Sequence, residues 1–264
     1  MNADLAARLT LSIGGVGVAI SSWEYLTRPA LLADHAIAGW PVGRTSRPWR
    51  LPRGLDRAVD LVFRYPNVLV LVMLRLVAAL AIVAGQPAPA VLCLCLGVVA
   101  ATSVLLGVRS PYGTDGADQL SMIIFVAAFG ARVIGTDGSQ YAFLWFVAGQ
   151  ACCAYFTAGF AKLMSPVWRG GRALGGILGT TTYGDRRLGP VLASHSRLAL
   201  LAGWWVIVLE CAFPLVLLGE PRLTYALLAL AFGLHLGALV FMRLNTFVWA
   251  FAATYPSVVY CTLR

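Results

Sequence analysis

The chain reads as an all-α integral membrane protein, a polytopic bundle of about eight transmembrane helices with an interfacial or re-entrant segment at 164–197. Three observations predict this. Apolar residues make up 59% of the 264 residues and charged residues only 12%, about half the charge of a soluble domain. The apolar residues fall in runs, each close to the roughly 20 residues that a bilayer requires. The polar residues gather into two arginine-rich stretches, 27–66 and 164–197. No internal repeat or low-complexity segment interrupts the chain, and residues 1–264 read as a single transmembrane domain.

The first span covers 5–26, with Glu24 near its end. Asp4 and Arg8 precede a run too long for a signal-peptide core, so no cleavable signal is expected. Residues 27–66 carry Arg44, Arg47, Pro48, Arg50, Pro52, Arg53, Arg57 and Arg64. They read as a surface loop with a short amphipathic helix over 55–63. A second span, 67–84, is interrupted by Arg75. The turn at Gln86 leads to a third span, 88–108. A polar turn from Arg109 to Gln119 precedes a short fourth span, 120–134, and the fifth covers 141–163. Residues 164–197 hold five arginines and seven glycines, too much glycine for a stable span, so a re-entrant or interfacial segment is expected. Spans six to eight cover 198–218, 223–242 and 245–263, the last with a kink at Tyr255-Pro256.

Arginines in cytoplasmic loops, facing anionic lipid, explain the net charge of +9 without a nucleic-acid partner. Their distribution puts both termini outside and the two basic stretches in the cytoplasm. The six cysteines lie in apolar runs, make no Cys-x-x-Cys pair and read as small buried hydrophobes. No nucleotide loop, zinc motif or Ser-His-Asp order is present, and no metal site is expected. Asp115 and Asp118 could bind a cation, but a turn capping the fourth span is the favoured use.

Glu24, Arg75, Lys162, Glu210 and His235 fall within or at the ends of spans. Each costs about 2.5–3.5 kcal/mol at a helix centre, so each needs a partner or water. Glu210 with Arg75 reads as a candidate structural ion pair. His235 sits between Gly233 and Gly237, which would allow another helix to approach; it is either hydrogen-bonded there or catalytic. Lys162 is the only lysine in the chain. It closes the fifth span in Tyr155-Phe-Thr-Ala-Gly-Phe-Ala-Lys-Leu, with Trp168 and Gly171 beyond. Kept dry and neutral it would be a base; charged, it would snorkel or need a partner.

That segment resembles the transmembrane lysine segment of vitamin K-dependent gamma-glutamyl carboxylases. His235-Leu-Gly, followed by Leu244-Asn-Thr-Phe-Val-Trp and Tyr255-Pro, resembles the histidine-to-proline segment of the same proteins. The turn Tyr112-Gly-Thr-Asp-Gly-Ala-Asp-Gln is similar to one in their small bacterial relatives, the horizontally transferred transmembrane domain (HTTM) proteins. The resemblance implies that Lys162 deprotonates reduced vitamin K or menaquinol, with His235 orienting or shuttling a proton. Oxygen then converts the quinol to a strong base that removes a peptide glutamate γ-proton, and CO2 adds to the carbanion. The carboxylases carry large regions outside the membrane that hold their protein substrate. No polar stretch of that size occurs here, so substrate recognition within this chain is not expected.

Two functions follow. A quinol-dependent, carboxylase-like enzyme would leave Lys162 unpaired beside a cavity, with Tyr155, Phe156, Trp168, Glu210, Asn245 and Trp249 as the substrate or quinone pocket. A non-catalytic membrane module, binding a lipid or quinone or aiding peptide maturation or export with a partner protein, would hold Lys162 in a salt bridge, with Glu210 as the candidate partner. Either reading places the chain in the cell membrane as a multi-pass protein, with the bacterial inner membrane expected.

Overall fold

The computed structural model describes residues 1–45, 52–85, 87–110, 115–185 and 187–263. Arg47, Pro48, Arg50, Gln86, Tyr112, Gly113, Thr114, Arg186 and Arg264 lie outside the described residues. Among the described residues the secondary structure is helical throughout, with no strand. In chain order the helices are α1 Ala3–Thr27, α2 Trp40–Thr45, α3 Arg53–Phe63, α4 Val68–Val83, α5 Pro89–Arg109, α6 Gly116–Ile134 and α7 Asp137–Met164. They continue as α8 Pro166–Arg169, α9 Arg172–Leu178, α10 Leu188–Ser194, α11 Ser196–Ala212, α12 Pro221–Met242, α13 Asn245–Ala252 and α14 Tyr255–Thr262. Short 3-10 turns form at Pro29–Leu32 and Phe213–Leu218.

Among the described residues six helices are long and apolar enough to cross a membrane: α1, α5, α6, α7, α11 with its 3-10 extension, and α12. This is the architecture expected of a membrane protein, with two differences from the sequence reading. Residues 67–84 yield the 16-residue α4, which reaches spanning length only together with α3, across a 66° bend. Pro66 lies in that break, where it can supply no backbone N–H to continue a helix. Residues 245–263 form two eight-residue helices, α13 and α14. Their break falls at Ala253–Thr254, just before the expected kink, because Pro256 takes a first-turn position in α14, where its missing N–H costs nothing.

The chain divides into two compact units, residues 11–143 and residues 1–10 with 144–264. In the first, Leu32, Val68 and Val72 form a small core with Tyr25, Leu26, Leu69 and Leu106 against it. Among the described residues Arg75 forms no ion pair with a carboxylate. Its Nε and Nη2 donate to the hydroxyls of Ser22 and Ser21 on α1, both at 2.9 Å. Ser22 in turn donates to the Val18 carbonyl. Asp115 caps α6 by accepting from the backbone N–H of Ala117 and Asp118, both at 2.9 Å, while the Asp118 side chain reaches back to the Asp115 N–H. The turn is thus a capping box.

Arg109, fully buried at the end of α5, organises the connection between α1 and α4. Its guanidinium donates to three backbone carbonyls: Phe63 at 2.8 Å, Ala38 at 2.7 Å and Leu32 at 2.6 Å. Phe63 ends α3 and Leu32 ends the first 3-10 turn, so this one side chain satisfies carbonyls that helix ends leave open. A planar fork suits three acceptors in a way an ammonium does not.

In the second unit, the short helices α8, α9 and α10 lie between α7 and α11 in the chain. Leu178, Leu192 and Ala199 bury a small core beneath them, with Leu174, Leu188 and Met242 against it. The N–H groups of Leu188 and Arg187 donate to Asp185, at 2.6 and 2.9 Å. These bonds hold its exposed carboxyl below the usual carboxylate range. Gly171 begins α9 with φ +73°, and a Cβ there would lie 2.6 Å from Leu200 Cα on α11. Only glycine fits both demands.

Arg109→Lys is expected to destabilise the protein by about 3 kcal/mol, since at least one buried carbonyl loses its donor. Unfolding titrations of the two proteins in mixed micelles check this, and equal stabilities would refute it.

Candidate functional site

The site is built on one face of α7. Tyr155, Gly159 and Lys162 stand four and three residues apart, spacings that place side chains on the same side of a helix. Neighbouring positions Leu144, Val147, Ala148 and Ala151 continue that face and are fully buried. Facing it are α11 with its 3-10 extension, α12, α13 and α14, all within the same unit.

Lys162 lies in the last turn of α7 and forms an ion pair with Glu210 of α11. Its Nζ stands 2.7 Å from Glu210 Oε2 and 2.9 Å from Oε1. The side chains are 21% and 10% exposed. Trp168 covers the amine, its ring centre 5.3 Å from Nζ, a cation–π distance. Glu210 therefore pairs with Lys162, and the candidate Glu210–Arg75 pair is corrected. Pro214 follows Glu210 by four residues and offers no N–H to its carbonyl, so the helix tightens into the 3-10 turn there.

Gly159 makes this pairing possible. A Cβ built there would sit 2.7 Å from Cys211 N and 2.8 Å from Glu210 Cβ. The backbones of α7 and α11 approach too closely for any other residue, and that approach brings the carboxylate within reach of the amine. Small residues serve this purpose where helices meet in membranes.

Two turns before Lys162, the Tyr155 hydroxyl is 2.8 Å from His235 Nε2 on α12 and 3.2 Å from the Tyr255 hydroxyl on α14. Tyr155 and His235 are buried. The Tyr155 ring stacks on Phe213 with centroids 3.9 Å apart, and His235 stacks on Phe251 at 4.1 Å. Phe247 lies beyond, stacked against both His235 and Phe251. The result is a hydrogen-bonded polar knot within an aromatic wall. The glycines flanking His235 do not serve a close helix approach, for a Cβ at Gly233 or Gly237 would meet nothing within 4 Å.

Of the residues singled out from sequence, Lys162, Glu210 and Trp168 come together, as do Tyr155 and His235. Phe156 turns away, half exposed and stacked on Phe160. Asn245 and Trp249 stand on α13, the helix that also carries Phe247 and Phe251. The sequence marks Tyr255 by a kink and by the segment resemblance but not as a site residue, and it does not mark Phe213. Tyr255 lies 100 residues from its partner Tyr155, and no local pattern announces such a contact. Set against known proteins, the chain matches no protein-family model, no curated protein and no solved structure.

Gly159→Ala is expected to force α7 and α11 apart and cost about 1–3 kcal/mol, the usual range for overpacking. Unfolding in mixed micelles measures it, and a variant as stable as wild type would show that the approach is not tight.

Proposed function

We propose that this protein is a membrane module of the HTTM type that binds an isoprenoid quinone or a comparable lipid at the α7 face, with Lys162 held as one half of an ion pair. The pair itself carries the reading. An ammonium bound through two short hydrogen bonds to a carboxylate has no lone pair to offer a substrate. What supports a ring-bearing ligand is the aromatic surround of Phe213, His235, Phe247 and Phe251 beside the pair. The quinone as ligand, and a peptide or partner protein on which the module acts, rest on the resemblance of the lysine and histidine segments. The six long helices, with α4, entered from the interface through the bent α3, and the pair α13–α14 taken as two further crossings, make up the eight expected. The short helices at 165–197 then form an interfacial or re-entrant segment, and the chain is a multi-pass protein of the bacterial inner membrane.

One observation favours a second reading, a quinol-dependent, carboxylase-like enzyme with Lys162 as base and His235 in support. Lys162 and the Tyr155–His235 pair share one face, and the Lys162 proton has a receiver at 2.7 Å. Passing that proton to Glu210 leaves two neutral groups, which an apolar surrounding tolerates better than charges. The amine so formed could deprotonate menaquinol or reduced vitamin K.

The readings separate in native membranes. The first expects quinol oxidation to be equal in, or absent from, wild type, Lys162→Met and the double variant K162M/E210Q, which leaves no lone charge. It also expects menaquinone to stabilise the purified protein, by about 2.7 kcal/mol at a hundredfold excess over Kd. Oxidation lost with Lys162 would make the protein an enzyme, and no stabilisation by menaquinone would remove the quinone.

A further inference from the structure

The helix α3 is amphipathic in an unusual sense. Residues Asp56, Asp60 and Phe63 form the stripe that the protein itself covers. Trp40 of α2 donates through Nε1 to Asp60 Oδ1 at 2.7 Å and packs edge-on against Phe63, with centroids 4.8 Å apart. Arg44 of α2 forms ion pairs with both Asp56 and Asp60. Every carboxylate of α3 is thereby neutralised from one side.

The remaining arc faces outward. It consists of Leu55, Ala58 and Val62 in one row and Arg53, Arg57 and Leu61 in the next, each row spaced three or four residues apart. Leu61 is 66% exposed and Leu55 51%. Among the described residues, Arg53, Arg57 and Arg64 form no ion pair. The outward surface of α3 is thus apolar along one row and basic along its border.

The position of the helix says what it meets. Arg109 fastens the Phe63 carbonyl at the end of α3 to the last residue of the membrane-length α5. The same end of α3 leads, through the 66° bend, into the apolar α4. Because α3 joins the unit where α5 ends and α4 begins, it lies at the level where spanning helices leave the hydrocarbon. The bend turns its axis away from that of α4. A short helix so placed, with an apolar row bordered by arginines, has the form of an interfacial anchor.

We propose that α3 is a lipid-binding element that lies in the bilayer interface, Leu55, Leu61 and Val62 entering the acyl boundary and Arg53, Arg57 and Arg64 binding the phosphates of anionic lipid headgroups. The occupant is the membrane the protein itself sits in. Charge complementarity selects anionic over zwitterionic lipid, since Asp56 and Asp60 pair with Arg44 and, among the described residues, the outward arginines form no ion pair. The anchor is independent of any ligand at the α7 face.

Backbone hydrogen exchange of the full-length protein in nanodiscs tests this. The discs contain phosphatidylcholine alone, or phosphatidylcholine with about one part in three of phosphatidylglycerol. Phosphatidylglycerol is expected to slow exchange over 53–63 by roughly tenfold in wild type, in line with the attraction of a few basic residues to an anionic surface. R53Q/R57Q should lose that increment, and L61S/V62S should lose protection in both lipids. Exchange in α4 and α5 should stay unchanged in every variant, which confirms that the unit folds. Exchange over 53–63 that ignores both the anionic lipid and the substitutions would overturn the proposal. So would protection that follows the number of protein copies per disc and not the lipid, which would make α3 a contact between copies.

Discussion

An amine and a carboxylate held against each other within apolar helices are the constraint from which the unit formed by residues 1–10 and 144–264 is arranged. Neither Lys162 nor Glu210 could stand alone there, because an isolated charge in a low-dielectric surrounding costs several kcal/mol. Pairing them demands that α7 and α11 run close, and Gly159 is the residue that permits it. Trp168 then covers the amine, and Gly171 lets the next segment turn tightly against Leu200 on α11. Further along the unit a second polar element, the buried bond between Thr10 and Ser257 at 3.0 Å, ties the first residues of α1 to α14.

Among the described residues, the three lysine and arginine side chains that are buried or half-buried are settled in three different ways, and the differences are informative. Lys162 takes a carboxylate, Arg75 takes two serine hydroxyls, and Arg109 takes three backbone carbonyls. A guanidinium spreads its charge and its five donors over a plane, so neutral acceptors suffice for it. An ammonium concentrates its charge at one point, and a carboxylate compensates it far better. The single lysine of the chain is accordingly the one buried or half-buried cation, among the described residues, that takes an acid as its partner.

Much of the helical architecture was legible in the sequence because apolar runs of membrane length are a one-dimensional signal. The limits of the fourth, fifth and seventh spans fall close to α6, α7 and α12 for this reason. The amphipathic helix over 55–63 was also legible, its charges and apolar residues alternating at helical spacing. What the runs could not show is where a helix bends. The break at Ala253–Thr254 falls just before the kink expected at Tyr255-Pro256, and the 66° bend between α3 and α4 leaves α4 at 16 residues, shorter than a run of that composition suggests. At the site, Lys162 and Glu210 stood out as costly groups, and their pairing was one of two open outcomes. The polar knot around Tyr155 was half visible: His235 and Tyr155 belong to segments that stand out by themselves, but Tyr255 and Phe213 meet them only through the fold. Arg109 gave no signal beyond being an arginine in a turn, since the carbonyls it serves lie 46 to 77 residues away.

A double-mutant cycle on Lys162 and Glu210, read from unfolding in mixed micelles, measures the pair without reference to any ligand. With Lys162→Met, Glu210→Gln and both together, the ion pair predicts that each single change costs about 3 kcal/mol and that the double variant costs less than their sum, a coupling of about 2 kcal/mol or more. Additive losses, with no coupling between the two positions, would contradict the account.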